Sequence, residues 1–289
     1  MRIARVLHGS SPVPILALER DGALYDAAEL DRIFGTRFSP DRIPGASDFH
    51  TRAVALGGAG LDELDDRLLA GDRPTAARLL PGTFVWLPPC DTERALHVQM
   101  APYDEHLDEP LHRLGDARLL VGHQGHVPFP AGETHPGYAL GVAVVLREEI
   151  CDATAEEAER AVLGYTVLNA WYGADDETRR RGWGSSRVPA QLGPVLVTPG
   201  DLGQVARLKA QVRIDGEVTA RTGVAGAWFS IGESIAWASR WVGLRGGDVI
   251  GLGRVLEGQG EVAYGAKVEV GVERLGWLSG QAIPQTSPS

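Results

Sequence analysis

The sequence predicts a β-rich α+β protein. A small N-terminal α+β domain is expected over residues 1–90, and a larger domain with a rolled or barrel-like sheet over residues 91–289. Three observations predict it. Short apolar runs of strand length recur along the chain. The 37 glycines and 18 prolines supply many turns between them. Few segments carry helical spacing, and the clearest of these open on capping residues. A chain of 289 residues can bury a substantial core.

The elements follow in order. Residues 2–7 and 14–18 read as strands, Arg20-Asp21-Gly22 as a hairpin turn, residues 23–25 as the returning strand and 26–33 as a helix. Residues 36–60 read as a loop. Leu61, Leu64 and Leu68 have helical spacing, and residues 83–87 form a strand before Pro88-Pro89. From residue 96 onward β-like runs dominate, at 119–121, 140–146, 195–198, 208–214, 248–252 and 267–272. Two helices interrupt them. Thr154 with Glu157 three residues on is a capping box, and that helix is expected to run to about residue 163. The second covers residues 230–241.

Composition excludes some functions. The net charge is -10 and Arg179, Arg180 and Arg181 form the longest basic run, so neither nucleic acid nor an anionic membrane surface is an expected partner. The longest apolar runs are far too short to span a bilayer, and the first residues lack a signal-peptide pattern. Cys90 and Cys151 make neither a disulfide framework nor a zinc site. They read as free thiols in a reducing compartment, and a soluble cytoplasmic protein is expected.

The order of motifs resembles the fumarylacetoacetate hydrolase family over nearly the whole chain. Tyr103, His106 and Glu109 match an N-Y-x-x-H-x-x-E segment, with Pro102 at its first position. Gly164, Tyr165, Thr166 and Asn169 match G-Y-T-x-x-N-D, and Leu192, Gly193 and Pro194 match M-G-P-x-x-V-T. Asp215-Gly216-Glu217 is similar to N-G-E, Gly247-Asp248-Val249-Ile250 to G-D-V-I, and Val268-Glu269-Val270 with Leu275-Gly276 to the closing motif. The resemblance implies a mixed β-roll, a homodimer and an active site at one end of the sheet.

It also implies a divalent cation held by three carboxylates, because hard cations need oxygen ligands. Carried over one at a time, those carboxylate positions fall on Ala139, Gly141 and Ala170. None has a side-chain donor, so no metal and no cofactor are expected. The family's R-D becomes Ala174-Asp175, its lysine falls near Gly184, and the T-G-T-P loop falls near Leu252 and Arg254.

His106 and Glu109 match the pair with which the family activates water. A carboxylate beside an imidazole fixes its tautomer and raises its basicity. An exposed histidine in an acidic loop is the alternative. Arg254 and Arg187 are candidates to hold a carboxylate or enolate, or they form surface ion pairs. Tyr103 is a further candidate contact. Trp171 and Tyr172 either floor an apolar pocket or belong to the core. His123, His126, Glu133 and His135 could hold a transition metal, or are solvated or substrate-facing.

The expected function is an enzyme acting next to the carbonyl of a small oxo-acid or diketo substrate. C–C hydrolysis, decarboxylation, hydration, isomerisation and cyclisation all fit, and a specialised biosynthetic pathway is one setting. The alternatives are a non-catalytic ligand-binding or scaffold protein on this fold, and a metal-dependent hydrolase with displaced ligands.

Overall fold

The computed structural model describes residues 1–9, 13–36, 59–100, 106, 109–130, 132–173, 188–225, 229–257 and 262–285. Its strands are β1 (Arg2–His8), β2 (Ile15–Arg20), β3 (Ala23–Asp26), β4 (Arg78–Leu79), β5 (Phe84–Leu87), β6 (Leu96–Met100), β7 (His112–Asp116), β8 (Gly125–Phe129) and β9 (Pro136–Gly137). They continue as β10 (Ala139–Leu146), β11 (Val162–Ala170), β12 (Tyr172–Gly173), β13 (Ala190–Val197), β14 (Lys209–Ile214), β15 (Glu217–Gly223), β16 (Val249–Glu257), β17 (Lys267–Val272) and β18 (Gly276–Pro284). Helices α1 (Ala27–Phe34), α2 (Ala59–Leu69), α3 (Ala155–Arg160) and α4 (Ile231–Trp241) accompany them.

Among the described residues an 11-stranded sheet runs in the order β4-β3-β2-β1-β13-β11-β10-β16-β6-β7, with β5 joining along β1. A 5-stranded sheet runs β15-β14-β17-β18-β8. Pairing is mixed: β16–β6 and β18–β8 are parallel, and β10 is antiparallel to both its neighbours. This is the β-rich α+β roll the sequence predicts. The large sheet continues across residue 90, because β1 pairs with β13.

Strand β10 shows why the layers stack. It is buried along its whole length and reads as a continuous apolar run, the pattern of a strand covered on both faces. Leu140, Val142, Val144 and Leu146 pack with Val212, Val268, Val270 and Leu278 of the second sheet. Ala143 and Val145 face the other way and belong to the apolar cluster that also holds Leu30 of α1 and Leu61, Leu64 and Leu68 of α2. Each fully buried Leu or Val of this kind contributes about 1.5–3 kcal/mol.

Local chemistry sets the turns and ends. Asp21 and Gly22 have φ of 50° and 78°, and Asp215 and Gly216 have 49° and 86°. Both hairpins therefore turn through two left-handed residues, which suits the strand twist. Asp26 caps α1 by accepting the Ala28 and Glu29 N–H groups at 2.9 and 3.3 Å. The Thr154–Glu157 box forms, and Ser230 with Glu233 makes a second one on α4. The buried Asp248 accepts the N–H groups of Leu96 and Arg245, both at 2.7 Å, so the G-D-V-I motif ties β16 to the start of β6.

Some expectations shift. Helix α3 stops at Arg160, because Val162 and Leu163 belong to β11. Residues 117–119 form a 3-10 turn, and Val121 makes only an isolated bridge to Gln191. Among the described residues no helix is long and apolar enough to cross a membrane.

Candidate active site

Ala139, Gly141 and Ala170, onto which the resemblance carries the family's ligand positions, lie together on one face of the large sheet. Directly opposed residues of an antiparallel pair share a face. Gly141 opposes Leu168 across β10 and β11. Leu140 pairs with Asn169 and Gly137 with Tyr172, so Ala139 faces Ala170 between them. Alternation puts Ala139, Gly141 and Ala170 on the side of Ala143 and Leu168, away from the inter-sheet core.

These positions do not fit a divalent cation. Methyl groups and a hydrogen supply no oxygen. The space above Gly141 is also taken: a Cβ there would lie 2.6 Å from the Gly253 carbonyl oxygen and 3.4 Å from Leu168 Cδ2. A β-bulge in β16 brings this carbonyl in, with Gly253 at φ 97°.

The strands bordering the other candidates end on the same side of the sheet. Strand β6 runs parallel to β16, and the end of β16 stands opposite Ala139. The segment after β6, which carries Tyr103, His106 and Glu109, therefore leaves the sheet at that end. The segment from β12 to β13 starts and ends there, and it carries Arg187. The Arg254 Cα pairs with Gly141. His106 and Glu109 are both exposed. Tyr103, Arg187 and the Arg254 side chain lie outside the described residues.

The two adjacent aromatics part company. Trp171 is a core residue rather than a pocket wall: it is buried, stands edge-on to Phe129 at 6.0 Å, and donates Nε1–H to Gln191 Oε1 at 2.8 Å. Strand alternation turns Tyr172 the other way. Its ring lies over Gly137, where a Cβ would come within 2.4 Å of it, and it continues the face of Ala139 and Ala170.

The histidines considered for a transition metal have other partners or surroundings. The His123 Nδ1 accepts the Ser279 N–H at 3.1 Å, and its ring stands edge-on to Trp86 at 5.1 Å. His126 is exposed on β8, while Glu133 Oε1 accepts the His135 N–H at 3.1 Å. Among the described residues no group of three His, Cys, Asp or Glu side chains could hold a metal ion. Burial pushes the Cys90 thiol up to about 12, which disqualifies it as a nucleophile at neutral pH.

Sequence reasoning missed His97 and Gln99. They are buried on β6 and share the face of Val249 and Gly251. The signal was present: residues 96–100 read Leu-His-Val-Gln-Met, polar and apolar in alternation, in a strand that lies inside a sheet.

Comparison with known proteins agrees with this architecture. The family model described as Fumarylacetoacetate (FAA) hydrolase C-terminal matches residues 90–282. An uncharacterized protein of Archaeoglobus fulgidus is 25% identical over 236 residues, which cover 78% of this chain and 91% of that protein. The oxaloacetate tautomerase YisK of Bacillus subtilis is 28% identical over 153 residues, 50% of this chain and 51% of the tautomerase, so the match spans about half of that relative. Among solved structures, the 2-hydroxyhepta-2,4-diene-1,7-dioate isomerase of Mycobacterium marinum superposes with a TM-score of 0.73 at 18% identity, covering 99% of this chain and 100% of that one. The maleylpyruvate hydrolase of Sphingobium sp. SYK-6, solved with manganese(II) and pyruvate, gives 0.69 at 18% identity with the same coverage. The structural likenesses establish the fold, the family model covers most of the chain, and this chain belongs to the fumarylacetoacetate hydrolase family of enzymes.

Proposed function

We propose that this chain moves a proton next to the carbonyl of a small 2-oxo acid or diketo substrate, and that it does so without the family's metal ion. The observation that carries this reading is the donor-free set Ala139, Gly141 and Ala170 on one sheet face, with the Gly253 carbonyl and Leu168 in the space above Gly141. Named relatives support the substrate class, since they include oxaloacetate tautomerases of Bacillus subtilis and Homo sapiens.

His106 is the general base in this reading, and Glu109 orients it. The base takes a proton from the carbon beside the carbonyl, and the electron pair moves to the carbonyl oxygen as an enolate. Without a cation that charge needs fixed donors, and Arg254, whose Cα stands opposite Gly141, is the partner we assign to it. Arg187 and Tyr103 complete the contacts at this end, and Tyr172 provides an apolar wall. Returning the proton to oxygen gives a tautomerisation; on a diketo substrate the same base instead takes a proton from water, the hydroxide adds to the distal carbonyl, and the C–C bond breaks with its electron pair leaving as the enolate of the 2-oxo acid, which the base then protonates. A cytoplasmic homodimer belongs to the same proposal.

The test is turnover of a panel containing oxaloacetate, acylpyruvates and simple 2-oxo acids, followed by loss of the enol absorbance. We expect at least one to turn over. A folded protein that turns over none of them contradicts the assignment and favours a non-catalytic ligand-binding protein.

A further inference from the structure

Strand β7 is an edge of the 11-stranded sheet. It pairs with β6 on one side, and among the described residues no strand pairs with its other side. Folded proteins blunt such edges, because a row of unpaired N–H and C=O groups is a template for another strand. Two other edges are blunted: β4 is two residues long, and β8 carries Pro128. Strand β7 is five residues long and has no proline. It also presents apolar surface: Leu114 is 53% exposed, and Leu111, next to the strand, is 48% exposed.

The order of side chains along β7 is self-complementary. Arg113 and Gln99 are Cα partners joined through their side chains, so Arg113 and Gly115 share the face of Gln99. His112, Leu114 and Asp116 stand on the other face. A two-fold axis through Leu114 sets β7 antiparallel to its own copy. Each Leu114 then meets the other. His112 meets Asp116 of the partner subunit, and Arg113 meets Gly115 of the partner subunit. An apolar pair is flanked on each side by an imidazole and a carboxylate, and the longest side chain lies against the residue that has none. Burial pushes the His112 imidazole down, so at neutral pH it meets the carboxylate as an N–H donor. Asp116 already accepts the Arg118 backbone N–H at 2.9 Å and the Nη2–H at 2.7 Å. An ionised carboxylate has about four lone-pair sites, so it can take the imidazole N–H as well. The same operation on the polar edge strand β15, centred on Ala220, sets Glu217 against Gly223 and gives its charge no partner.

We propose that β7 is a homodimer interface: a second copy of this chain adds its β7 antiparallel about a two-fold axis at Leu114, and the two large sheets become one. An isologous contact of this kind is closed and stops at two copies. The inference rests on the homodimer reading above and names its contact. Two residues separate Glu109 from His112, so the contact also holds the strand that leaves the proposed base pair.

Sedimentation equilibrium of the full chain and a cross-linking variant test the interface. The wild type is expected to be a dimer. Leu114→Asp sets two carboxylates against each other on the axis. It should weaken association by about 100-fold or more, the scale of two leucine side chains returned to water. Far-UV circular dichroism checks that this variant keeps its fold. Directly opposed Cα atoms stand about 4.5–5.5 Å apart, within disulfide range. Leu114→Cys, in a Cys151→Ser background that removes the exposed native thiol, should therefore link to its own copy in oxidised glutathione. A dimer that persists in folded Leu114→Asp, or a Leu114→Cys dimer that forms no disulfide, removes this interface and leaves the homodimer reading standing. A monomeric wild type overturns both.

Discussion

Replacing His106 with Ala lowers kcat/KM on the panel's best substrate by about 100- to 10,000-fold, the range that a positioned general base supplies. The loss falls on kcat, because the imidazole acts on the proton being transferred rather than on binding. Glu109→Gln costs less, since it leaves the base in place and removes only the carboxylate that orients it. Steady-state kinetics on folded variants reads both. A folded His106→Ala enzyme with unchanged kcat would remove the base from the account.

Acid is expected to destabilise this fold through the buried His97 and the half-buried His123. Burial holds His97 down to about 4, and Arg113 adds to the effect. Burial does the same to His123, with Lys267 adding and Glu269 opposing. In the unfolded chain both titrate near 6.5. Between those values the unfolded chain binds protons that the native one does not, so stability falls as pH drops from about 6.5 to about 4. Each histidine contributes about 3 kcal/mol to that loss. His123→Asn keeps an acceptor for the Ser279 N–H and cannot titrate. Urea unfolding at pH 7 and pH 4 should show the wild type losing about 3 kcal/mol more than the variant. Equal losses would show that His123 is not held neutral by the fold.

Features set by local chemistry could be read from the sequence. The Asp21–Gly22 hairpin, the Thr154–Glu157 box and the apolar run of β10 each depend on neighbouring residues, and the structure has all three. Strand β11 was missed although it is buried throughout. Gly164, Thr166 and Asn169 break its apolar pattern, and only its place between β10 and β13 buries them. Strand β15 was missed for the opposite reason: it is largely exposed and polar, and pairing with β14 supports it.

The site divides in the same way. Motif order placed Ala139, Gly141 and Ala170, and pairing of β10 with β11 explains why they form one face. Nothing in the order Trp171-Tyr172 says which ring faces the core, because that is settled by strand phase. His97 and Gln99 join the face of Val249 and Gly251 only through the parallel pairing of β6 with β16, a contact between residues about 150 apart in sequence.

The central claim is chemistry without the metal ion, and one measurement addresses it directly. The panel's best substrate is assayed after exhaustive chelation, and again after adding Mg²⁺ or Mn²⁺. The account predicts the same rate in all three conditions. Activity lost on chelation and restored by either cation would contradict it, and would place a metal site elsewhere than at Ala139, Gly141 and Ala170.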